Sequence, residues 1–285
     1  MAEHIDRRSF LQRTAVALGA TAIVSADDLT TERTKTLSRI GLQLYTVRDA
    51  MQKDVNGTLA RVAKVGYKEV EFAGYFGKKP SEISALLTET GLRAPSAHIS
   101  LDDIRGRWSE TLDAASAIGH DYLVCAYIGE NERNPENYKK IAQEFNKAAE
   151  QARTHKIAFA YHNHDFEFVP MGEGKERVLV YDYLLRTCEP KLVRMELDLF
   201  WINKAKQDAF KYFARYPGRF QLVHVKDMGA DGKFADVGTG NLPFKRYFAK
   251  ARQAGIRHYF VEHDQPGDAF ASIERSYQYL SKLEF

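Results

Sequence analysis

From Ser38 onward, short runs of apolar and β-branched residues alternate with longer stretches in which apolar residues recur every three or four positions. The short runs predict strands at Arg39–Tyr45, Lys68–Phe72, Arg93–His98, Tyr122–Tyr127, Ile157–His162, Leu192–Asp198, Gln221–Val225 and His258–Glu262. The longer stretches predict helices at Val55–Val65, Pro80–Thr90, Trp108–Ile118, Asn137–His155, Val178–Cys188, Lys204–Tyr216, Phe244–Ala254 and Ala269–Leu283. Gly66, Gly91, Gly119 and Gly255 sit just past periodic segments, where a left-handed C-cap is expected. Pro80 and Pro135 mark helix starts, where the missing N–H is tolerated. The strands are continuous apolar runs rather than alternations, the pattern of parallel strands covered on both faces.

Strict strand–helix alternation predicts an α/β fold. An open doubly wound sheet usually carries a glycine-rich phosphate loop after its first strand, whereas here that strand runs into Leu42-Gln-Leu-Tyr-Thr-Val-Arg48. Eight units in one chain of this length predict a closed (β/α)₈ TIM barrel, with residues 38–285 as a single catalytic domain.

The first 26 residues read differently. Arg7-Arg8 followed by Phe10-Leu11, a short apolar run from Thr14 to Val24, and Ser25-Ala26 form the pattern of a twin-arginine export signal. The run is too short for an ordinary transmembrane helix. Export to the periplasm is expected, with residues 27–37 as a loose lead-in and no membrane association once the signal is removed.

Composition narrows the partners. With 41 basic and 38 acidic residues the charge is nearly balanced, and no basic stripe interleaved with aromatics appears, so nucleic acid is not expected. Cys125 and Cys188 lack zinc-finger spacing and read as structural thiols; export leaves a disulfide open.

Polar residues gather at the strand ends, where barrel enzymes place their chemistry. Strand three ends in Ser96-Ala-His98, strand five in Tyr161-His-Asn-His164-Asp165 and strand six in Met195-Glu-Leu-Asp198. Strand seven ends in Val223-His224-Val-Lys226-Asp227 and strand eight in Val261-Glu262-His263-Asp264. Side-chain alternation puts His162 with His164, Glu196 with Asp198, and His224 with Lys226 on common faces. A closed barrel aims these ends at one point. Imidazoles mixed with carboxylates suit one borderline divalent ion such as Mn²⁺, Zn²⁺, Co²⁺ or Fe²⁺. A hydrogen-bonded cluster without metal is the alternative. Gln43, Tyr45, Glu71, Trp201 and Asp227, also at or just past strand ends, are expected to contact substrate.

The phrases Gly41-Leu-Gln-Leu-Tyr-Thr-Val, Tyr161-His-Asn-His-Asp-Phe-Glu-Phe168, Leu197-Asp-Leu-Phe-Trp201, His224-Val-Lys-Asp and Gly238-Thr-Gly make the chain resemble the sugar phosphate isomerase/epimerase family, the xylose-isomerase-like barrels, in its exported subgroup. The resemblance runs from about Ser38 to Phe285. It implies one divalent ion held by a strand-five residue together with Asp198, His224 and Glu262. Family epimerases carry a glutamate on strand five; this chain offers His162, with His164 one alternation further on. Histidine serves equally as a ligand but does not provide the paired glutamates that exchange a proton on both faces of one carbon. Trp201 stands where epimerases tend to place a substrate-binding histidine, and an aromatic face there stacks on a sugar. The resemblance also implies that the glycine-rich segment Lys226–Gly240 covers substrate and that barrels pair as homo-oligomers.

The implied chemistry is enolisation of a small keto-sugar or 3-keto-glycoside, with Glu262 as base and His98, His164 and Lys226 as candidates for acid or oxyanion stabiliser. Elimination in the manner of a lyase or dehydratase is the leading expectation, and ketose isomerisation or 3-epimerisation the alternative. A metal-free sugar-binding barrel is the reading from another class. Multi-zinc hydrolysis like that of endonuclease IV relatives needs more histidines than the nine present.

Overall fold

A computed structural model of the chain describes residues 35–174 and 177–285. The segment expected to be an export signal and most of the expected lead-in lie outside the described residues. Eight parallel strands close into a barrel: β1 (Gly41–Gln43), β2 (Glu69–Phe72), β3 (Arg93–Ile99), β4 (Tyr122–Cys125), β5 (Ala158–His162), β6 (Val193–Asp198), β7 (Phe220–Val225) and β8 (His258–Val261). Each pairs with its sequence neighbours, and β1 closes on β8 with Gly41 opposite Phe260. That closure needs a glycine, because a Cβ on Gly41 would stand 2.5 Å from the Phe260 ring.

The apolar residues divide by strand parity. Leu123, Cys125, Phe159, Tyr161, Leu197, Val223 and Val261 belong to the large core shared with the surrounding helices. Their alternates Tyr122, Val124, Ala160, Leu222 and Phe260 form a separate small cluster, the plug of the barrel lumen. His162, His224 and Glu262 continue that inward parity one step beyond the plug, so the chemistry stands directly above a filled floor.

The predicted helices form with local adjustments. The fourth begins at Pro135 rather than Asn137, because the Asn134 side chain accepts the Asn137 N–H at 2.9 Å and caps it. The helix expected over Lys204–Tyr216 is confined to Ala209–Arg215, and a separate helix that was not expected, Leu199–Lys204, precedes it. Lys206 adopts φ 57° between them, and Asp208 caps the second. Lys250, at φ −96° and without a side-chain cap, interrupts Phe244–Ala254, leaving Phe244–Ala249 and Ala251–Ala254. Val178–Leu179 leaves its expected helix and pairs with Pro170–Met171, so that helix covers only Val180–Thr187. Two further short helices, Arg48–Lys53 and Leu101–Gly106, were not expected.

Cys125 and Cys188 are both buried free thiols. Among the described residues no helix is long and apolar enough to cross a membrane.

Candidate active site

The C-terminal ends of β2, β3, β5, β6, β7 and β8 deliver a layered group of acids and imidazoles. Asp198 ends β6 and is also the N-cap of the next helix: its Oδ1 accepts the N–H groups of Phe200 at 2.8 Å and Trp201 at 2.9 Å. One carboxylate oxygen thus fixes the side chain while Oδ2 faces the cluster. The strand pairing slips beside Glu71 and again beside Glu196, a bulge-type irregularity that re-aims side chains at a barrel rim.

The upper layer joins His162, Asp198, His224 and Glu262. His224 Nδ1 lies 2.7 Å from Glu262 Oε2 and 3.9 Å from Asp198 Oδ2, and His162 Nε2 lies 3.9 Å from the same Asp198 oxygen. The Lys226 ammonium stands among the carboxylates, 3.0 Å from Asp198, 2.7 Å from Glu262 and 2.8 Å from Asp264. In the lower layer Glu196 Oε2 is approached by His98 Nε2 at 2.7 Å, His162 Nδ1 at 3.1 Å and His224 Nε2 at 3.1 Å. Glu71 Oε2 meets the same His224 nitrogen at 2.7 Å, and Ser96 and Gln43 hold Glu71 in turn. His162 and His224 therefore offer one ring nitrogen to each layer.

Burial opposes charge on His224 and His98, yet the carboxylates around them win: Glu196 and Glu262 hold His224 well above the usual imidazole range, and Glu71 and Glu196 raise His98. His162 is pushed down to about 3, by burial first and then by protonated His224. Burial likewise depresses His164, which faces no carboxylate at contact distance. Burial raises Asp198 to about 6 against the pull of Lys226. Glu262 falls well below the carboxylate range despite burial, because Lys226 and His224 stabilise its charge.

A cavity of about 960 Å³ opens over this cluster. His98, His162, His164, Trp201, Lys226 and Glu262 all reach its wall. Tyr45 lines it too, 41% exposed, with the Arg48 guanidinium 4.2 Å above its ring. Three residues expected at the substrate are placed elsewhere. Gln43 and Glu71 are fully buried under the cluster, where Gln43 donates to Glu71. Asp227 is also buried, and its carboxylate accepts four main-chain N–H groups, from Met228 and Leu242 on Oδ1 and from Gly238 and Gly240 on Oδ2. It fastens the glycine-rich segment, in which Asp227–Met228 pairs with Phe234–Ala235. That ribbon carries Phe234 to the cavity wall, stacked on Phe200 at 4.3 Å.

Glu196 and Asp264 complete the cluster but were not among the expected site residues. For Glu196 the signal was present, because strand alternation places it on the face of Asp198. Asp264 follows β8 in a loop, where alternation gives no direction.

Asp198, His224 and Glu262 each bring a donor atom within 4.8 Å of the others, a set that could hold a borderline divalent ion, with His162 Nε2 beside it at 3.9 Å from Asp198 Oδ2, and an independent observation supports the fit. Asp198 Oδ2 is fully buried and accepts no well-formed hydrogen bond, because the Lys226 ammonium approaches it off the hydrogen-bonding direction.

Known proteins place the chain among relatives. Residues 59–283 match the pattern of the xylose isomerase-like TIM barrel family. An inosose dehydratase from Mesomycoplasma hyopneumoniae is 22% identical over 65% of this chain and 66% of its own length, so the match spans just under two thirds of that relative. Another, from Geobacillus kaustophilus, is 23% identical over 67% of this chain and 74% of its own. Among solved structures, a sugar phosphate isomerase/epimerase from Parabacteroides distasonis superposes with TM-score 0.75 at 26% identity, over 86% of this chain and 98% of that one. With most of its length matched and a closed eightfold parallel barrel, this chain belongs to the xylose isomerase-like TIM barrel family.

Proposed function

We propose that this protein is a divalent-metal-dependent enzyme that enolises a keto-sugar or 3-keto-glycoside and completes the reaction by β-elimination. The observation that carries the reading is the convergence of His162, Asp198, His224 and Glu262 at the barrel mouth with the Lys226 ammonium between the two carboxylates. Family members often bind a divalent metal, and these four residues would hold it. When bound, the ion would supply Lewis-acid polarisation of the substrate carbonyl.

The side chains account for the remaining steps. Glu262 takes the proton α to the carbonyl, and Lys226 donates to the oxygen that becomes negative. As Lys226 turns to that oxygen it releases Glu262, whose basicity rises at the moment it is needed. In a 3-keto-glycoside the electron pair from C2–H forms the C1–C2 double bond, the bond from C1 to the aglycone oxygen breaks, and His98 protonates that oxygen. Trp201, with Phe234 beside it, offers an aromatic face to the sugar ring. His162 stands where family epimerases carry their strand-five glutamate, so the glutamate pair that exchanges a proton on both faces of one carbon is not provided, which favours elimination over two-face epimerisation. The dehydratase names of two relatives point the same way. Ketose isomerisation or 3-epimerisation is the second reading, favoured by the name of the similar P. distasonis structure.

Export through the twin-arginine route and a periplasmic location belong to the same proposal and rest on Arg7-Arg8 and the apolar run that follows. N-terminal sequencing of the protein from a periplasmic fraction tests this; an intact Met1 terminus in the cytoplasm contradicts it.

For the chemistry, metal-reconstituted protein is incubated in D₂O with 3-keto-glucosides and with free ketoses and followed by NMR. Release of aglycone supports elimination, and deuterium incorporation without release supports isomerisation. Neither event, with either substrate class, overturns enolisation.

A further inference from the structure

The lower layer of the cluster is unexplained by a single ion at the mouth. His98 Nε2, His162 Nδ1, His224 Nε2 and a Glu196 oxygen lie within 4.8 Å of one another, a four-donor set that could hold a cation. The three nitrogens stand 2.7, 3.1 and 3.1 Å from Glu196 Oε2. Donors arranged tetrahedrally around zinc at about 2.1 Å are separated by roughly 3.4 Å, so shifts of a few tenths of an ångström convert this group into a coordination shell. Glu196 is fully buried, yet its second oxygen, Oε1, has no hydrogen-bond partner. Across both layers five carboxylates (Glu71, Glu196, Asp198, Glu262 and Asp264) face the single ammonium of Lys226, a burden of negative charge that only protons or metal ions offset. Lys226 ion-pairs only in the upper layer, so in the lower layer the positive charge opposite Glu196 and Glu71 comes from the His98 and His224 rings, whose protons an incoming ion would replace.

We propose that His98, His162, His224 and Glu196 form a second, deeper seat for a late first-row divalent ion such as Zn²⁺, mutually exclusive with the mouth seat. Exclusivity follows from the rings. The mouth takes His162 Nε2 and His224 Nδ1, whereas the deep seat takes His162 Nδ1 and His224 Nε2. A neutral imidazole has one lone pair for a metal and carries a proton on its other nitrogen, so each ring serves one seat at a time. The donor sets also divide the metals: three imidazoles and one carboxylate favour zinc-like ions, and the carboxylate-richer mouth suits Mn²⁺. His98 reaches the cavity wall and gives an ion its way in. The inference rests on this geometry and not on the reaction proposed above. It holds or fails whether or not a sugar is turned over.

Chelator-stripped protein is titrated with Zn²⁺ and with Mn²⁺ by calorimetry, in the wild type, in Asp198→Asn/Glu262→Gln, and in the same pair with His98→Asn added. The carboxylate pair of substitutions is expected to weaken Mn²⁺ at least about 100-fold while zinc stays within about tenfold at one equivalent; adding His98→Asn then removes zinc. Wild-type protein is expected to take one equivalent in total, with zinc displacing Mn²⁺. Anomalous diffraction from zinc-soaked wild-type crystals locates the ion without any substitution and decides the question if the variants do not fold. A peak bonded to His98 Nε2 supports the deep seat. A zinc ion bonded to Asp198 and Glu262 instead, or Zn²⁺ and Mn²⁺ bound together at two equivalents, overturns it.

Discussion

Asp227→Asn tests the strongest reassignment that the structure makes. The Asp227 carboxylate accepts four main-chain N–H groups, at 2.8 and 3.1 Å on Oδ1 and 2.9 and 2.9 Å on Oδ2. An asparagine keeps the shape but offers one acceptor oxygen, and its NH₂ then faces two N–H donors. Two hydrogen bonds to a charged acceptor are lost, each worth about 1.5–3 kcal/mol, so the expected destabilisation is about 3–6 kcal/mol. In a chain of this size that lowers the melting temperature by on the order of 10 °C. Gly240 leaves no room for the site to relax, because a Cβ there would already clash with the Asp227 carboxylate. Urea unfolding measures the loss as a lower midpoint with an unchanged slope, and hydrogen exchange of the Gly238 and Gly240 amides locates it. The Phe234 ribbon loosens with it, so substrate affinity falls as a consequence. Stability within about 1 kcal/mol of wild type together with a raised KM would refute the reasoning and return Asp227 to the substrate.

Three further outcomes follow from the cluster. His224 carries a raised pKa in the metal-free protein, so an incoming ion must displace its proton; Mn²⁺ affinity should rise about tenfold per pH unit through neutrality, and a flat profile by calorimetry would contradict this. Glu196→Gln weakens the hold on both ligand rings, His162 and His224, and should lower Mn²⁺ affinity about 10–100-fold with the circular dichroism spectrum unchanged. Trp201→Ala should weaken sugar binding by about 1–2 kcal/mol, read as a raised KM, and leave metal affinity as it was.

Strand parity made most of the fold and half of the site legible. The apolar runs fixed eight strands because parallel strands buried on both faces leave little room for polar residues, and the few that remain stand out at the ends. His162, Asp198, His224 and Glu262 come together for that reason. The same alternation contained Glu196, one step below Asp198, but an acid deep in a barrel has no local signature; only the imidazoles that arrive from β3, β5 and β7 explain it. Gln43, Glu71 and Asp227 sit at or just past strand ends and so resemble substrate contacts in the sequence. Their partners lie 28 residues away for Gln43 and 11–15 for the far contacts of Asp227, and a polar residue satisfied by tertiary neighbours reads like one that awaits a ligand. The break at Lys206 was invisible because helical periodicity continues through it, while the backbone turns left-handed to let Asp198 cap one helix and Asp208 the next.

In the proposed enzyme His162, Asp198, His224 and Glu262 hold one ion at the barrel mouth. Anomalous diffraction at the manganese edge from crystals grown with Mn²⁺ tests it most directly. A single peak within about 2.0–2.3 Å of a donor atom from each of the four residues is the predicted result. A map with no peak at the mouth, while Lys226 keeps its ion pairs with Asp198 and Glu262, would contradict it.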